Sequence, residues 1–262
     1  MDCVAVIPAR INSSRFAGKP LALLSGRPMI QHVAERCAAV VGVGRVIVAT
    51  DDERIAAAAL GAGVEAMMTP TSLDSGTDRV AYVAEQIECS VVFNVQGDEP
   101  LIDPAELSTA LASFSAGGYD YGTLRAPLIE ARDRWDPNVV KVVIDCEGRA
   151  LYFSRAPLPF PRDAWRAAPN RAGEPLLAFE PTLHGAPACW IHVGVYLYTH
   201  QALSAWARIP RSSLEQAEGL EQLRVLEAGR AIQTFPVAEA VPGVDTPEDL
   251  ERVQRLLEER VE

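Results

Sequence analysis

The sequence predicts an α/β fold built on a mostly parallel sheet. Strand-like and helix-like segments alternate through the first half, which calls for crossover connections. The strand-like runs are apolar throughout, as strands covered on both faces are. The two loops richest in charge, PARINSSRFAGK at 8–19 and QGDEP at 96–100, each follow such a run. In open sheets of this kind ligands sit beyond the carboxyl ends of the strands, so the two loops should share one edge.

Taken in order, Val4–Ile7 has the β-branched content of a buried strand, and Pro8 is expected to end it by removing a backbone donor. A helical pattern follows at Pro28–Val40, then a strand at Arg45–Ala49, a helix at Glu53–Leu60 and a short strand near Val64–Met67. Thr77 or Asp78 is expected to cap a helix running to about Glu88, and Val91–Val95 reads as a central strand. In the second half, Val139–Ile144 and Ala150–Ser154 form a predicted hairpin around Asp145–Arg149. The proline-rich stretch Pro157–Pro187 reads as a long ordered loop or flap. A strand at Trp190–Tyr198 precedes helical patterns at Gln201–Ala207 and Leu214–Ala228. Last, Thr246-Pro247-Glu248-Asp249 supplies a cap, a first-turn proline and an acid ahead of Leu250, Val253 and Leu256-Leu257 on one face.

Composition limits what this fold can do. At 262 residues, with 48% hydrophobic and 6% aromatic content, the chain can bury a large core. Its formal net charge of −11 argues against nucleic-acid binding through a broad basic face, so an anionic substrate needs a local cationic pocket or a metal ion. Cys3, Cys37, Cys89, Cys146 and Cys189 are scattered without CxxC spacing and read as thiols of a reducing cytoplasm. No apolar run approaches a membrane span, and no leader pattern opens the chain, so neither insertion nor export is expected.

Three constellations carry chemistry. Arg10, Arg15 and Lys19, with Ser13, Ser14 and Gly18, have the composition of a phosphate trap, against the alternative of a solvated basic loop. Asp98 ends a very apolar strand, where a carboxylate needs a cation or donors. Asp245 precedes a helix cap and can serve the helix dipole alone or, with Asp98, hold magnesium, which accepts one or two carboxylates. Ser75-Gly76-Thr77-Asp78-Arg79 opens a helix, which suits either an ordinary cap or a phosphate or base contact. By residue type alone Arg155 is a surface ion-pair partner or a carboxylate fork, His192 and Tyr196 are strand packing, and Glu221 and Gln222 are a solvated helix face.

The strings PAR with S-x-R-x-x-GKPL, TDD at 50–52, SGTDR at 75–79, NVQGDEP at 94–100, PNVVKVV at 137–143, YFSRAPLP at 152–159, LEQLR at 220–224 and GVDTPEDL at 243–250 resemble, in the same order and nearly end to end, the bacterial CMP-Kdo synthetases (3-deoxy-manno-octulosonate cytidylyltransferases). The resemblance implies a Rossmann-like nucleotidyltransferase domain with a small dimerisation lobe, acting as a cytoplasmic homodimer in lipopolysaccharide biosynthesis. It implies a single domain over 1–262, with a nucleotide-binding half at 1–128, an acceptor and dimerisation region at 129–235, and a return to the core at 236–262. The implied partners are CTP and a small acidic acceptor, with Mg²⁺ as cofactor. Pro8, Ala9, Arg10, Arg15 and Lys19 would meet the nucleotide, with Arg15 and Lys19 also catalytic. Ser75, Gly76 and Gln96 would seat the cytidine, and Asp98 and Asp245 would hold the metal. Arg155, His192, Tyr196, Glu221 and Gln222 would line the sugar pocket. Ala17, Thr199 and Glu227 depart from the family's proline, arginine and aromatic, and the segment between Arg155 and His192 is longer and richer in proline; all but Ala17 fall in the acceptor half, so a cytidylyltransferase for another small acid, a different ulosonic acid or a phosphonate such as phosphonoformate, stays open. So does a non-catalytic nucleotide-binding protein.

Overall fold

A computed structural model describes residues 2–12, 16–73, 75–160, 162, 182–183, 186–187, 189–206 and 208–259. Arg15 and most of the proline-rich stretch lie outside the described residues. In chain order the elements are β1 (Cys3–Ala9), α1 (Met29–Ala38), β2 (Val43–Thr50), α2 (Glu53–Gly61), β3 (Glu65–Met68), α3 (Gly76–Ala84), β4 (Val91–Asn94) and α4 (Pro104–Gly117). They continue as β5 (Tyr121–Pro127), β6 (Lys141–Ile144), β7 (Ala150–Ser154), β8 (Trp190–Thr199), α5 (His200–Trp206), α6 (Ser213–Glu218), α7 (Leu223–Glu227), β9 (Gln233–Pro236) and α8 (Pro247–Glu259). The chain divides into two compact units, one of residues 1–121, 194–208 and 241–262, the other of residues 122–193 and 209–240.

In the first unit β1 lies between β2 and β4, with β3 beyond β2, all parallel. Residues Tyr196–Thr199 of β8 pair antiparallel with β4. All seven residues of β1 are buried, which is why the run is apolar without alternation. The strand does not stop at Pro8; it continues through Pro8↔Ala49 and Ala9↔Thr50. Val6 accepts from Val95 N on the β4 side, and successive residues face opposite neighbours, so Pro8 faces that side too. There the ladder already ends at Val6↔Asn94, and no donor is missed. The cap of α3 is Ser75, whose side chain accepts from Asp78 N, rather than Thr77 or Asp78.

One backbone contact brings the carboxyl-terminal segment to the sheet edge. Val244 N donates to Asp98 O at 2.9 Å, so the residues on either side of that bond, Asp98 and Asp245, are held together. Behind them α8 buries Val253 and packs Leu250, Leu256 and Leu257 against Leu24, Met29, Leu101 and Val244. Each such side chain removed from water contributes roughly 1.5–3 kcal/mol, which makes this helix an anchor for Asp245. Thr246 Oγ1 accepts from Asp249 N while Asp249 accepts from Thr246 N, the reciprocal cap that the sequence suggests.

The second unit pairs β5 with β9 in parallel and β6 with β7 as the predicted hairpin. Asp145 accepts from Glu147 N and Arg149 N in the turn, and Gly148 takes φ 80°. Trp190 and Ile191 of β8 pair with β6. The helix expected over Leu214–Ala228 is two short helices. Gly219, at φ 64°, ends α6 in the left-handed conformation and donates to Glu215 O. Glu221 therefore lies in the turn between them, and Gln222 is the residue before α7 rather than part of a continuous helix.

Candidate active site

In the first unit Lys19 Nζ donates to Asp98 Oδ2 at 2.6 Å and to Asp245 Oδ1 at 3.1 Å. Lys19 stands in a short helical turn after Gly18, which takes φ 76° to let the loop reverse. One ammonium, mostly shielded from water, thus meets two carboxylates that are far apart in sequence. Glu99, unremarked in the sequence, lies in the same neighbourhood. Its Oε2 is buried with no hydrogen-bond partner among the described residues, and burial first and Asp98 second raise its pKa. Both effects favour its neutral form beside the two aspartates.

A second cluster adjoins the ends of β1 and β4. Gly76 opens α3 so near Gln96 and Pro8 that a Cβ there would stand 3.1 Å from Gln96 Oε1 and 3.4 Å from Pro8 Cγ. Gly97 similarly lets its backbone approach Pro8 O, at 3.1 Å from where its Cβ would be. Gln96 Nε2 donates to Asn94 Oδ1 at 3.0 Å, which leaves Oε1 turned toward the start of α3. Arg79 bonds Thr69 and, at 3.0 Å, Asp51, fastening α3 to the segments that follow β2 and β3. These contacts give Asp51 of TDD and Arg79 of SGTDR a structural role. Arg10 is exposed just past β1.

Four of the remaining candidates have described partners within the second unit. His192 Nε2 is 2.9 Å from Thr123 Oγ1, and its Nδ1 is 3.5 Å from Gln222 Nε2. Burial lowers the imidazole to about 3, so it is neutral in ordinary buffers. Arg155 spends its guanidinium on backbone carbonyls of Pro137, Glu218 and Gly219. Glu221 O accepts from Arg224 N. In the first unit, the ring of Tyr196 stacks on that of Tyr198 at 6.0 Å. The structure therefore joins His192 to Gln222, and Arg155 to Glu218, a residue that sequence reading passed over.

His192 gives a pH prediction with a definite sign. An unfolded imidazole titrates near 6.5 and the folded one lower, so the unfolded state binds more protons between those values. The stability that His192 contributes is complete above about 6.5 and is lost as pH falls through about 3. His192→Gln should flatten part of the acid limb of stability, read as urea midpoints at pH 7, 5 and 4. Parallel declines in variant and wild type would overturn the assignment.

Two departures from the family pattern have local explanations. Thr199 Oγ1 accepts from Ala202 N and donates to Asp120, capping α5. Glu227 accepts from Leu214 N and Ser213 Oγ, capping the start of α6, and the Leu214 backbone donor first, then the Ser212 and Ser213 hydroxyls, hold its carboxyl below the usual range. Among the described residues no helix is long and apolar enough to cross a membrane, and no group of three or more His, Cys, Asp or Glu side chains is arranged to hold a metal.

Comparison with known proteins finds relatives along nearly the whole chain. Residues 4–232 match the family described as Cytidylyltransferase. The 3-deoxy-manno-octulosonate cytidylyltransferase of Geobacter sulfurreducens is 47% identical over 254 residues, covering 97% of this chain and 98% of its own. The Escherichia coli protein of the same name is 42% identical over 254 residues, covering 97% and 95%. A solved CMP:2-keto-3-deoxy-manno-octonic acid synthetase complexed with CTP matches with a TM-score of 0.87 at 42% identity, over 99% of this chain and 100% of that one. A cytidylyltransferase structure from Leptospira borgpetersenii, at TM-score 0.63 and 16% identity, shares the fold.

Proposed function

We propose that this chain, which belongs to the family of 3-deoxy-manno-octulosonate cytidylyltransferases, transfers CMP from CTP to the anomeric hydroxyl of Kdo, giving CMP-Kdo and pyrophosphate. Its fold is a Rossmann-like nucleotidyltransferase fold and its activity that of a cytidylyltransferase. The observation that carries the proposal is the cluster of Lys19 with Asp98 and Asp245. A pure nucleotide binder gains nothing from two carboxylates facing a triphosphate site.

The donor chemistry of that pair fits magnesium, which takes hard oxygen ligands and completes its shell with water and substrate. Asp98 and Asp245 would hold the ion, which when bound lowers the acceptor hydroxyl's pKa and offsets charge on the α-phosphate. Lys19, with Arg10 and Arg15, stabilises the triphosphate and the departing pyrophosphate. Gln96, fixed by Asn94 beside Gly76 and Ser75, presents an acceptor oxygen to the base, which suits the exocyclic amino group of cytosine. Arg155, His192, Tyr196, Glu221 and Gln222 orient the acceptor, and a neutral His192, held between Thr123 and Gln222, steadies Gln222 there without adding charge. A homodimeric, cytoplasmic enzyme of lipopolysaccharide biosynthesis follows from the same reading.

Thr199 and Glu227 act as helix caps, so neither substitution calls for a different acceptor. The deciding experiment incubates the protein with CTP, Mg²⁺ and a panel of acids including Kdo, another ulosonic acid and phosphonoformate, following pyrophosphate release. Release with Kdo is expected. Release with another acid but not with Kdo would overturn the acceptor assignment.

A further inference from the structure

Arg155 is held from several directions. Its Nε donates to Glu218 O at 2.7 Å, Nη1 to Pro137 O at 2.7 Å and Nη2 to Gly219 O at 3.5 Å. A guanidinium has five N–H groups, so these bonds leave one hydrogen on each terminal nitrogen. The Glu218 carboxylate meanwhile fixes the backbone from which the arginine projects. Oε1 accepts from Ser154 Oγ at 2.6 Å and Tyr152 OH at 3.5 Å, and Oε2 accepts from Arg155 N at 2.9 Å. Glu218 thus grips both the base of Arg155, through its side chain, and the guanidinium, through its own carbonyl.

Charge gives a second reason for that grip. Lys141 is fully buried, with Nζ donating to Asp136 O and Val139 O. Burial first, and Arg155's charge among the lesser causes, lower its pKa, whereas Glu218's charge raises it. Two cations thus lie near enough to repel, with the Glu218 carboxylate there to offset them. Without it, Arg155 would keep only backbone carbonyls against that repulsion.

We propose that Glu218 is the positioning residue that aims the two remaining Arg155 hydrogens at the carboxylate of the acceptor; this rests on the assignment of Arg155 to acceptor binding. Glu218 itself touches no substrate, and its effect passes through Arg155. A two-point, charge-assisted fork is sensitive to such aim, because small displacements of a positioning group cost large factors in rate.

Steady-state kinetics of E218A, E218Q and R155A, with thermal melting alongside, test the proposal. In E218A the KM for Kdo should rise about tenfold or more while the KM for CTP stays within about twofold. E218Q can keep its amide oxygen on Arg155 N–H and donate its NH2 to the Ser154 hydroxyl but loses the negative charge, so its KM for Kdo should fall between wild type and E218A. If E218A does not fold, E218Q against wild type carries the same comparison. A lowered melting temperature with both KM values unchanged would overturn the proposal, as would a raised KM for Kdo in R155A with none in E218A. An unchanged KM for Kdo in R155A would overturn the assignment of Arg155 and the proposal with it.

Discussion

Asp98→Asn should stop turnover and leave the fold standing. The substitution is isosteric, and the structural link at this position runs through the main chain, where Val244 N donates to Asp98 O. The side chain is 30% exposed, so no cavity opens and no buried charge is orphaned. Lys19 keeps its contact with Asp245 at 3.1 Å. As a mere ion pair with Lys19, Asp98 would contribute up to about 1 kcal/mol to stability and nothing to rate. As one of two carboxylates that hold a metal over the reacting phosphate, its loss should cost on the order of a hundredfold or more in kcat, roughly 2.7 kcal/mol or more of transition-state stabilisation. The two roles differ enough to be separated by kcat at saturating CTP and Kdo, with a melting curve as control. A near-wild-type rate in a folded variant would remove Asp98 from the metal site.

What the sequence makes legible follows from which interactions are local. The apolar run of β1 can be read because both its faces are buried and every residue carries the same signal. Asp98 stands out because a carboxylate at the end of such a strand needs a partner, whereas Glu99 beside it does not, since two adjacent acids look alike until the backbone decides which turns inward. Ser75 as the cap of α3, two positions earlier than Thr77, lies within the one- or two-residue ambiguity of any helix start. The helix α4 is missed although Asp103 caps it by accepting from Ala105 N and Gly118 ends it at φ 65°. Alanine and serine fill its exposed positions, so the buried Leu107, Leu111 and Phe114 do not stand out as a stripe. The break at Gly219 was signalled by the glycine itself, which a periodic apolar pattern on both sides outvoted. Least legible of all is the cradle around Arg155, because Pro137, Glu218 and Gly219 are far from it in sequence and contribute carbonyl oxygens that any residue would supply.

Lys19→Met carries the second large effect, and its two consequences run in opposite directions. In the structure the Lys19 ammonium occupies the space between the Asp98 and Asp245 carboxylates, the same charge position that a bound divalent cation would take. On the proposed metal assignment, ammonium and ion would compete for those oxygens, and Lys19 would turn from the carboxylates toward the triphosphate when the ion binds. Methionine preserves much of the length and packing of the side chain and removes the charge. With no ammonium to displace and two carboxylates left to repel each other, Mn²⁺ used as a paramagnetic probe should bind the nucleotide-free variant at least as tightly as wild type. The reaction should nevertheless slow by on the order of a hundredfold, since the departing pyrophosphate loses a preorganised cation. Titration of Mn²⁺ by electron paramagnetic resonance reads the first effect without any turnover, and pyrophosphate release reads the second. A variant that loses both metal affinity and rate would make Lys19 a structural organiser of the two aspartates, and one that loses neither would leave the phosphate grip to Arg10 and Arg15.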